Sequence, residues 1–333
     1  MSALGDVVLV VPAVRALAVR WPQARIVWIT GRGLMPILGS LPDNVELLPI
    51  RKPKKWGDYR ELSRRLKGER FDALLAMQAS FRANLVYPLI KARRKIGYDR
   101  RLARELHGSF VNERIERQDH HLLDDFMSFA QMLGVPAQEP QWNFRLDAAA
   151  CEWLQQQLTP RRYIALNLLS SKPQRNWPLA RSIEVAQWAV AHGWRVAIIG
   201  GGSDAERNAA DAVTAVVPDT VNFTGQTDLP RLFALLAQAA ALVSPDSGPV
   251  HIARAFEVPV VGLYACARAE KTGPYQRLQW TVDRYPQAAL QFLGKPAGSL
   301  DWHRRIANPL AMELITVADV VAKLEQALAL QSP

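Results

Sequence analysis

Cysteine is almost absent. Cys151 and Cys266 are the only two in 333 residues and lie 115 positions apart, which gives neither a disulfide framework nor a zinc-ligand spacing. No stretch approaches the roughly 18 uninterrupted apolar residues that span a bilayer. The first residues show no basic segment running into an apolar one and a small-residue cleavage site, so no secretory leader is expected. Low-complexity tracts and short internal repeats are missing as well. What is present is a chain with 49% hydrophobic and 22% charged residues, far too apolar for disorder. Its length suits two domains, each large enough for a core of its own. These features predict a cytosolic α/β protein without a metal cage.

The chain is basic, with 41 Lys and Arg against 31 Asp and Glu, a formal charge of +10. The excess is uneven. Residues 1–145 carry 24 basic and 15 acidic side chains, residues 146–333 carry 17 and 16, and the stretch 51–104 alone carries 17 and 5. Such a concentration fits nucleic acid, an anionic membrane surface or a phosphorylated or carboxylated substrate, against the plainer reading of a solvated face. A nucleic-acid groove would interleave aromatics with the cations. Here the aromatics are few, and three of them lie in or beside apolar segments, so no nucleic acid is expected.

Short apolar strands alternate with amphipathic helices, the pattern of βαβ units and a mostly parallel sheet. In the first half, helices are predicted over Pro12 to Arg20, Tyr59 to Lys67 and Arg82 to Lys91. Strands are predicted over Arg25 to Thr30, Val45 to Ile50 and Phe71 to Met77. The second half predicts strands at Arg162 to Leu168, Arg195 to Ile199, Ala241 to Ser244 and Val258 to Tyr264. Its helices fall at Pro178 to His192, Asp204 to Val217, Leu229 to Ala239 and Val250 to Phe256. Thr316 to Leu330 closes the chain as an amphipathic helix, with Thr316 and Asp319 spaced for a capping box. Phe144 to Pro160 is the expected link between domains 1–150 and 151–333, and the last helix could return to the first domain. Two such sheets facing each other would hold a ligand at the carboxyl ends of their strands.

Four segments carry candidate chemistry. Gly5-Asp6 reads as a strand-to-helix turn, although no strand precedes it; the pattern calls for one of about eight residues upstream. Asp6 is either a cap or a carboxylate placed as a general base. Asn167 to Pro178 follows a strand and leads into a helix, so Ser170, Ser171 and Arg175 suit a phosphate, while Trp177-Pro178 fixes the start of the helix. Gly200-Gly201-Gly202 is a weak dinucleotide-like turn, and Glu206 beyond it is a ribose ligand or a plain surface carboxylate. In Ser244 to His251, Asp246 and Ser247 can cap the next helix, whose N-terminus can hold a diphosphate. His251 lies one turn in.

Together Ser2-Ala-Leu-Gly-Asp6, Ser170-Ser-Lys-Pro-Gln-Arg-Asn-Trp-Pro178 and Ser244-Pro-Asp-Ser-Gly-Pro-Val-His251 resemble the family 9 glycosyltransferases, the ADP-heptose:lipopolysaccharide heptosyltransferases. Met77-Gln-Ala-Ser-Phe-Arg82, Arg93-Arg-Lys-Ile-Gly-Tyr98 and Gly262-Leu-Tyr-Ala265 bring the likeness nearest to the heptosyltransferase I branch. The resemblance runs nearly the whole chain in order. It implies a GT-B fold of two Rossmann-like domains, with the acceptor, a Kdo sugar of lipid A, on the first and ADP-heptose on the second. It implies an inverting, metal-independent transfer with no cofactor, at the inner face of the cytoplasmic membrane. By this likeness Asp6 is the base, and Ser170 and Ser171 contact the diphosphate. Arg175 stands where the family has Lys and stabilises the departing ADP by charge alone, since it cannot give up a proton. Glu206 takes the nucleoside side, Asp246, Ser247, Gly248 and His251 form the donor loop, and Arg82, Arg93 and Arg94 face the acceptor. Heptosyltransferase II, or a family member using another sugar nucleotide, is the alternative.

Overall fold

The first helix, α1 (Leu4–Arg20), carries a proline in its interior, Pro12. Proline has no N–H to give to the carbonyl four residues back, so Val8 O loses its helical partner. The buried indole of Trp142 replaces it, donating from Nε1 at 2.9 Å. A defect in the first helix is thereby covered by a side chain 134 residues away. The computed structural model describes residues 4–99, 107–116, 118–158 and 162–329. Ser2, Ala3 and the Thr159-Pro160 pair lie outside them. Gly5, expected as a turn, is instead helical and buried within α1.

The chain divides into two compact units between Asn143 and Phe144. Residues 144–150 therefore join the second unit rather than the first, because Phe144 packs edge-on to Phe233, 5.1 Å between ring centres, and against Phe256. In the first unit, β1 (Ile26–Gly31) and β2 (Val45–Ile50) form a parallel pair, with α2 (Trp56–Arg65) following. A separate parallel sheet holds β3 (Phe71–Leu75), β4 (Ala92–Gly97) and β5 (Glu113–Arg114). The helix predicted over Arg82 to Lys91 is only one turn, α3 (Phe81–Asn84), followed by a 3-10 turn at Tyr87–Leu89 around Pro88. Pro88 has no donor to continue the helix. The Arg93 to Tyr98 run, left without an element by its pattern, is mostly strand β4. Helix α4 (Leu122–Gln131), which the sequence reading missed, packs along α1.

The second unit begins with α5 (Ala148–Leu158) and alternates β6 (Tyr163–Asn167), α6 (Leu179–Ala191), β7 (Arg195–Ile199), α7 (Asp204–Val216), β8 (Thr220–Asn222), α8 (Leu229–Ala237), β9 (Ala241–Pro245), α9 (Gly248–Ala255) and β10 (Val260–Tyr264). Then come α10 (Ala269–Thr272), β11 (Val282–Asp283), α11 (Tyr285–Leu293) and α12 (Val317–Ala329). The six strands form one parallel sheet in the order β11-β10-β9-β6-β7-β8. Strands β6, β9 and β10 are buried at every position, as a parallel sheet covered on both faces requires. Helix α12 has the expected capping box: Asp319 N donates to Thr316 Oγ1 at 3.2 Å and Thr316 N to Asp319 Oδ2 at 3.0 Å. Its Val320, Leu324 and Leu328 belong to the core of the second unit.

Candidate active site

Sheet topology locates the site of the second unit. From β6 the chain winds outward to β7 and β8, then returns to the other side of β6 for β9, β10 and β11. In such open sheets the order reverses between two adjacent strands, here β6 and β9, and a crevice opens beyond their carboxyl ends. The loops leaving those ends are Leu168 to Asn176 and Asp246 to Ser247, two of the segments singled out from the sequence.

Three polar side chains join the two strand ends. Asn167 Nδ2 donates to Ser244 Oγ at 3.0 Å and to Ser247 Oγ at 2.9 Å, and the two hydroxyls lie 2.9 Å apart. Ser247 holds the N-cap position of α9, yet its hydroxyl turns back to Asn167 and makes no capping bond, contrary to its expected role. Asp246 makes a different contact. Arg175 NH1 lies 2.8 Å from Asp246 Oδ2, an ion pair off the hydrogen-bond line, and donates to the Asp246 carbonyl at 3.3 Å. Burial pushes the Asp246 carboxyl above the usual range, and the Arg175 charge opposes the rise. Both side chains are largely buried, so the guanidinium is held in one orientation beside the start of α9. His251 is buried in the next turn of that helix.

The loop carrying Arg175 is fastened at several points. Ser170 N donates to Asn176 Oδ1 at 2.8 Å, and Ser170 Oγ donates to the Lys172 carbonyl at 2.9 Å, so this hydroxyl shapes its own loop. Ser171 beside it is exposed. Trp177 Nε1 donates to Ile315 O at 3.0 Å, the structural part expected of it. Cys266, which no sequence motif marked, lies under the loop and donates from Sγ to Gln174 O at 2.9 Å. Burial pushes its thiol up to about 11, so it stays protonated and is a fastener rather than a nucleophile.

Glu206 is more occupied than the sequence suggests. Its carboxylate accepts from Gly201 N at 2.8 Å, Ser203 N at 2.9 Å and Ser203 Oγ at 2.6 Å, forming the capping box of α7. Burial would raise its pKa, but these hydrogen bonds outweigh it and hold the carboxyl below the usual range. The Gly202 backbone also bonds to it, so about four acceptor positions meet four donors and the carboxylate holds the turn. The glycine turn is equally constrained. Gly202 has φ +87° and faces Gly225, itself at φ +71°, so closely that a Cβ on Gly202 would lie 2.6 Å from the Gly225 Cα.

In the first unit, Asp6 stands half-buried in the first turn of α1, where the helix dipole favours a carboxylate. Tyr98, just past β4, feels its charge. Burial first, then the charges of Asp125, Tyr87 and Asp6, keep the Tyr98 phenol protonated far above its ordinary value. Its hydroxyl donates to Met77 O at 2.9 Å. Tyr98 N donates to His107 Nε2 at 3.2 Å, so that nitrogen carries no proton, and Nδ1–H points to Asn84 Oδ1 at 2.8 Å. Burial, then the charge of Arg114, lowers the His107 pKa, in keeping with a neutral ring. Gly97 makes room for that ring, since a Cβ there would fall 2.5 Å from His107 Nε2. None of Tyr98, His107 or Asn84 was singled out from the sequence by itself; they belong to different elements and meet only in the fold.

The three acceptor-side cations are not alike. Arg82 is exposed on α3 and Arg93 is exposed on β4. Arg94, on the opposite face of the same strand, is engaged elsewhere. It binds Glu113 through two bonds of 2.8 and 2.7 Å and donates to Met132 O at 3.0 Å, joining β4 to β5 and to the end of α4. That is a structural clasp, not the exposed acceptor contact expected of it. No group of three or more His, Cys, Asp and Glu side chains placed to hold a metal occurs among the described residues.

Polar side chains gathered at the switch point of a parallel sheet, beside a helix N-terminus and an oriented arginine, are the arrangement found in α/β enzymes that handle nucleotides. The sequence profile of glycosyltransferase family 9 (heptosyltransferase) matches residues 59–304. The chain belongs to this family, and it is a glycosyltransferase. It is 34% identical to the lipopolysaccharide core heptosyltransferase OpsX of Haemophilus influenzae, over 98% of this chain and 94% of the relative. It is 27% identical to lipopolysaccharide heptosyltransferase 1 of Pseudomonas aeruginosa, over 84% of this chain and 80% of the relative. Among solved structures, a family 9 glycosyltransferase from Veillonella parvula matches with TM-score 0.78 and 21% identity, covering 100% of this chain and 96% of the other. The heptosyltransferase WaaC of E. coli with ADP matches with TM-score 0.73 and 19% identity, covering 98% of each. The fold is accordingly GT-B, with two Rossmann-like units of parallel sheet.

Proposed function

We propose that the enzyme transfers a heptosyl group from ADP-heptose to a Kdo sugar of the lipopolysaccharide inner core, with inversion and without a metal. The observation that carries this is the Arg175–Asp246 pair at the β6/β9 switch point, a fixed cation beside the N-terminus of α9. As the bond between the sugar and the diphosphate breaks, negative charge grows on the departing ADP. A preoriented guanidinium and helix N–H groups stabilise that charge without reorganising. Asp6 takes the proton of the attacking Kdo hydroxyl, whose oxygen forms the new bond to the anomeric carbon. Ser170, Ser171, Ser247, Gly248 and His251 line the donor loops, and Glu206 holds the glycine turn on the nucleoside side. Arg82 and Arg93 are left for the acceptor. The relatives named heptosyltransferase support the donor class, and OpsX supports a core acceptor.

The basic stretch of the first unit supports a place at the inner face of the cytoplasmic membrane. Trp56 and Phe81 are 74% and 52% exposed there, and Lys54, Lys55, Arg60 and Arg82 are exposed near them in sequence. Tyr59 lies 5.9 Å from the Trp56 ring and donates to the Arg82 carbonyl. No helix among the described residues is long and apolar enough to cross a membrane.

The test is incubation with Kdo-lipid A and ADP-, UDP- or GDP-sugars, followed by mass spectrometry. The expected outcome is one heptose added from ADP-heptose alone. A preference for a UDP- or GDP-sugar, or transfer only to an acceptor that already bears heptose, would favour the alternative family members. Asp6→Ala is expected to abolish transfer and leave ADP-heptose binding nearly unchanged; equal loss of binding would remove the base from this position.

A further inference from the structure

The Gly262-Leu-Tyr-Ala265 run lies beside the Arg175–Asp246 pair without taking part in it. Strands β9 and β10 pair Pro245 with Leu263, so Asp246 and Tyr264 are the next neighbours at the carboxyl end of the sheet. The Tyr264 ring lies back over Gly262, where a Cβ would fall 2.7 Å from the ring. From there the hydroxyl of this buried tyrosine reaches α10 and donates to Thr272 O at 2.9 Å.

Thr272 is fixed from its other side as well. Gly273 N donates to Ala269 O at 2.7 Å, and a Cβ on Gly273 would lie 2.5 Å from that oxygen. With the backbone held at both points, the Thr272 hydroxyl oxygen is buried, and no aligned hydrogen bond uses it. It faces the Asp246 carboxylate, whose ionised form it favours. Asp246 Oδ2 is in a matching condition, buried, with Arg175 near but off the hydrogen-bond line. Buried polar atoms seldom lack partners, and here a donor and a charged acceptor stand together.

The other groups facing Asp246 come from several elements. They are Arg175 from the loop after β6, Lys271 from α10, Arg305 from the segment leading to Pro309, and Tyr264 and Cys266 from the end of β10. His251 is buried one turn along α9. Burial keeps the Tyr264 phenol and the Cys266 thiol protonated. Lys271 and Arg305 favour an ionised Asp246 but repel Arg175 by the same charge. A neutral hydroxyl favours the carboxylate without that repulsion.

We propose that Thr272 is a positioning residue for Arg175: its hydroxyl supports the charge of Asp246, which in turn holds the guanidinium toward the departing diphosphate. This rests on Arg175 acting at the diphosphate, and it adds to the charged pair a neutral donor, carried by α10 and braced by Tyr264. Protonation of Asp246 releases the guanidinium, and loss of the Thr272 donor brings that protonation on at higher pH.

The test is NMR of the ligand-free protein, following the Asp246 carboxyl carbon and the Arg175 Nε–H against pH. The unchanged protein is compared with Thr272→Val, which keeps the shape and loses the donor, and with Thr272→Ser, which keeps the donor. Valine is expected to move the Asp246 midpoint to higher pH by about 0.5–1, the scale of one hydrogen bond to a charged group. The order of the Arg175 Nε–H is expected to fall on acidification with the same displaced midpoint, and serine is expected to restore both. His251 is common to all the proteins, so the difference between them reports Asp246. An unmoved Asp246 midpoint in Thr272→Val overturns the proposal, even if the melting temperature falls, because Thr272 is then packing alone. So does a midpoint that moves while Arg175 keeps its order. Neither signal needs donor or acceptor, so a failed heptosyl assay would count against the reading of the site and leave this result standing.

Discussion

Arg175 must present charge to a ligand while its own burial makes that charge costly, and Asp246 resolves the conflict. The carboxylate holds the guanidinium at 2.8 Å, and each group compensates the other inside the crevice. Removing the arginine alone leaves a buried carboxylate without its cation. In Arg175→Ala we expect ADP binding roughly ten- to hundredfold weaker, the scale of a lost charged contact. We also expect lower stability near pH 7, recovered on acidification. The sign follows from the raised pKa of Asp246: its folded-state pKa lies above the unfolded value, so the folded protein gains stability as the carboxyl takes up a proton. Thermal melts of both proteins between pH 5 and 8 measure the difference. A gap that widens toward low pH would show that Asp246 is compensated by something else.

Among the elements, the turn between β7 and α7 is the most constrained. Gly202 and Gly225 meet nearly Cα to Cα, both in the left-handed region, and the Glu206 carboxylate gathers the Gly201 and Ser203 amides. In Gly202→Ala the new methyl group meets backbone, which cannot swing aside, and the positive φ adds strain of about 1–3 kcal/mol. A fall in melting temperature of several degrees is expected, and an unchanged melt would mean that the turn relaxes freely. The sequence marked this turn by its three glycines but could not show that the third faces Gly225, because that contact joins loops after neighbouring strands. The same limit applies elsewhere. Elements with a clear apolar period, such as β6, α6, β7, α7 and α12, were legible within one or two residues. Helix α4 was missed, and so were the partnerships of Arg94 with Glu113, Cys266 with Gln174 and Tyr98 with His107. Each links residues in different elements, nine or more positions apart, and neither period nor composition records a contact of that kind. Asp6, Arg175 and Asp246 were legible as candidates because they sit at helix starts and strand ends, positions that local pattern does specify.

For the molecule as a whole, the uneven charge sets up a measurable asymmetry. The first unit carries nearly all of the net positive charge, with Trp56 and Phe81 exposed amid its cations. Vesicles containing anionic lipid are expected to bind the protein at low salt and release it as salt rises beyond about 0.15 M, where the screening length falls to roughly 8 Å. Trp56→Ala is expected to weaken binding severalfold without changing its dependence on salt, since the ring contributes insertion rather than charge. Equal binding to neutral and anionic vesicles would contradict this. The pairing of Pro12 with Trp142 has a consequence in time. The carbonyl freed in the first helix is satisfied by the penultimate residue of the first unit, so this contact must wait until nearly the whole unit has been synthesised. Domains emerging from the ribosome fold as units, at about 5–20 residues per second of synthesis. Here α1 stays incomplete for most of that interval, and the indole that closes it also marks the point at which the second unit begins to emerge.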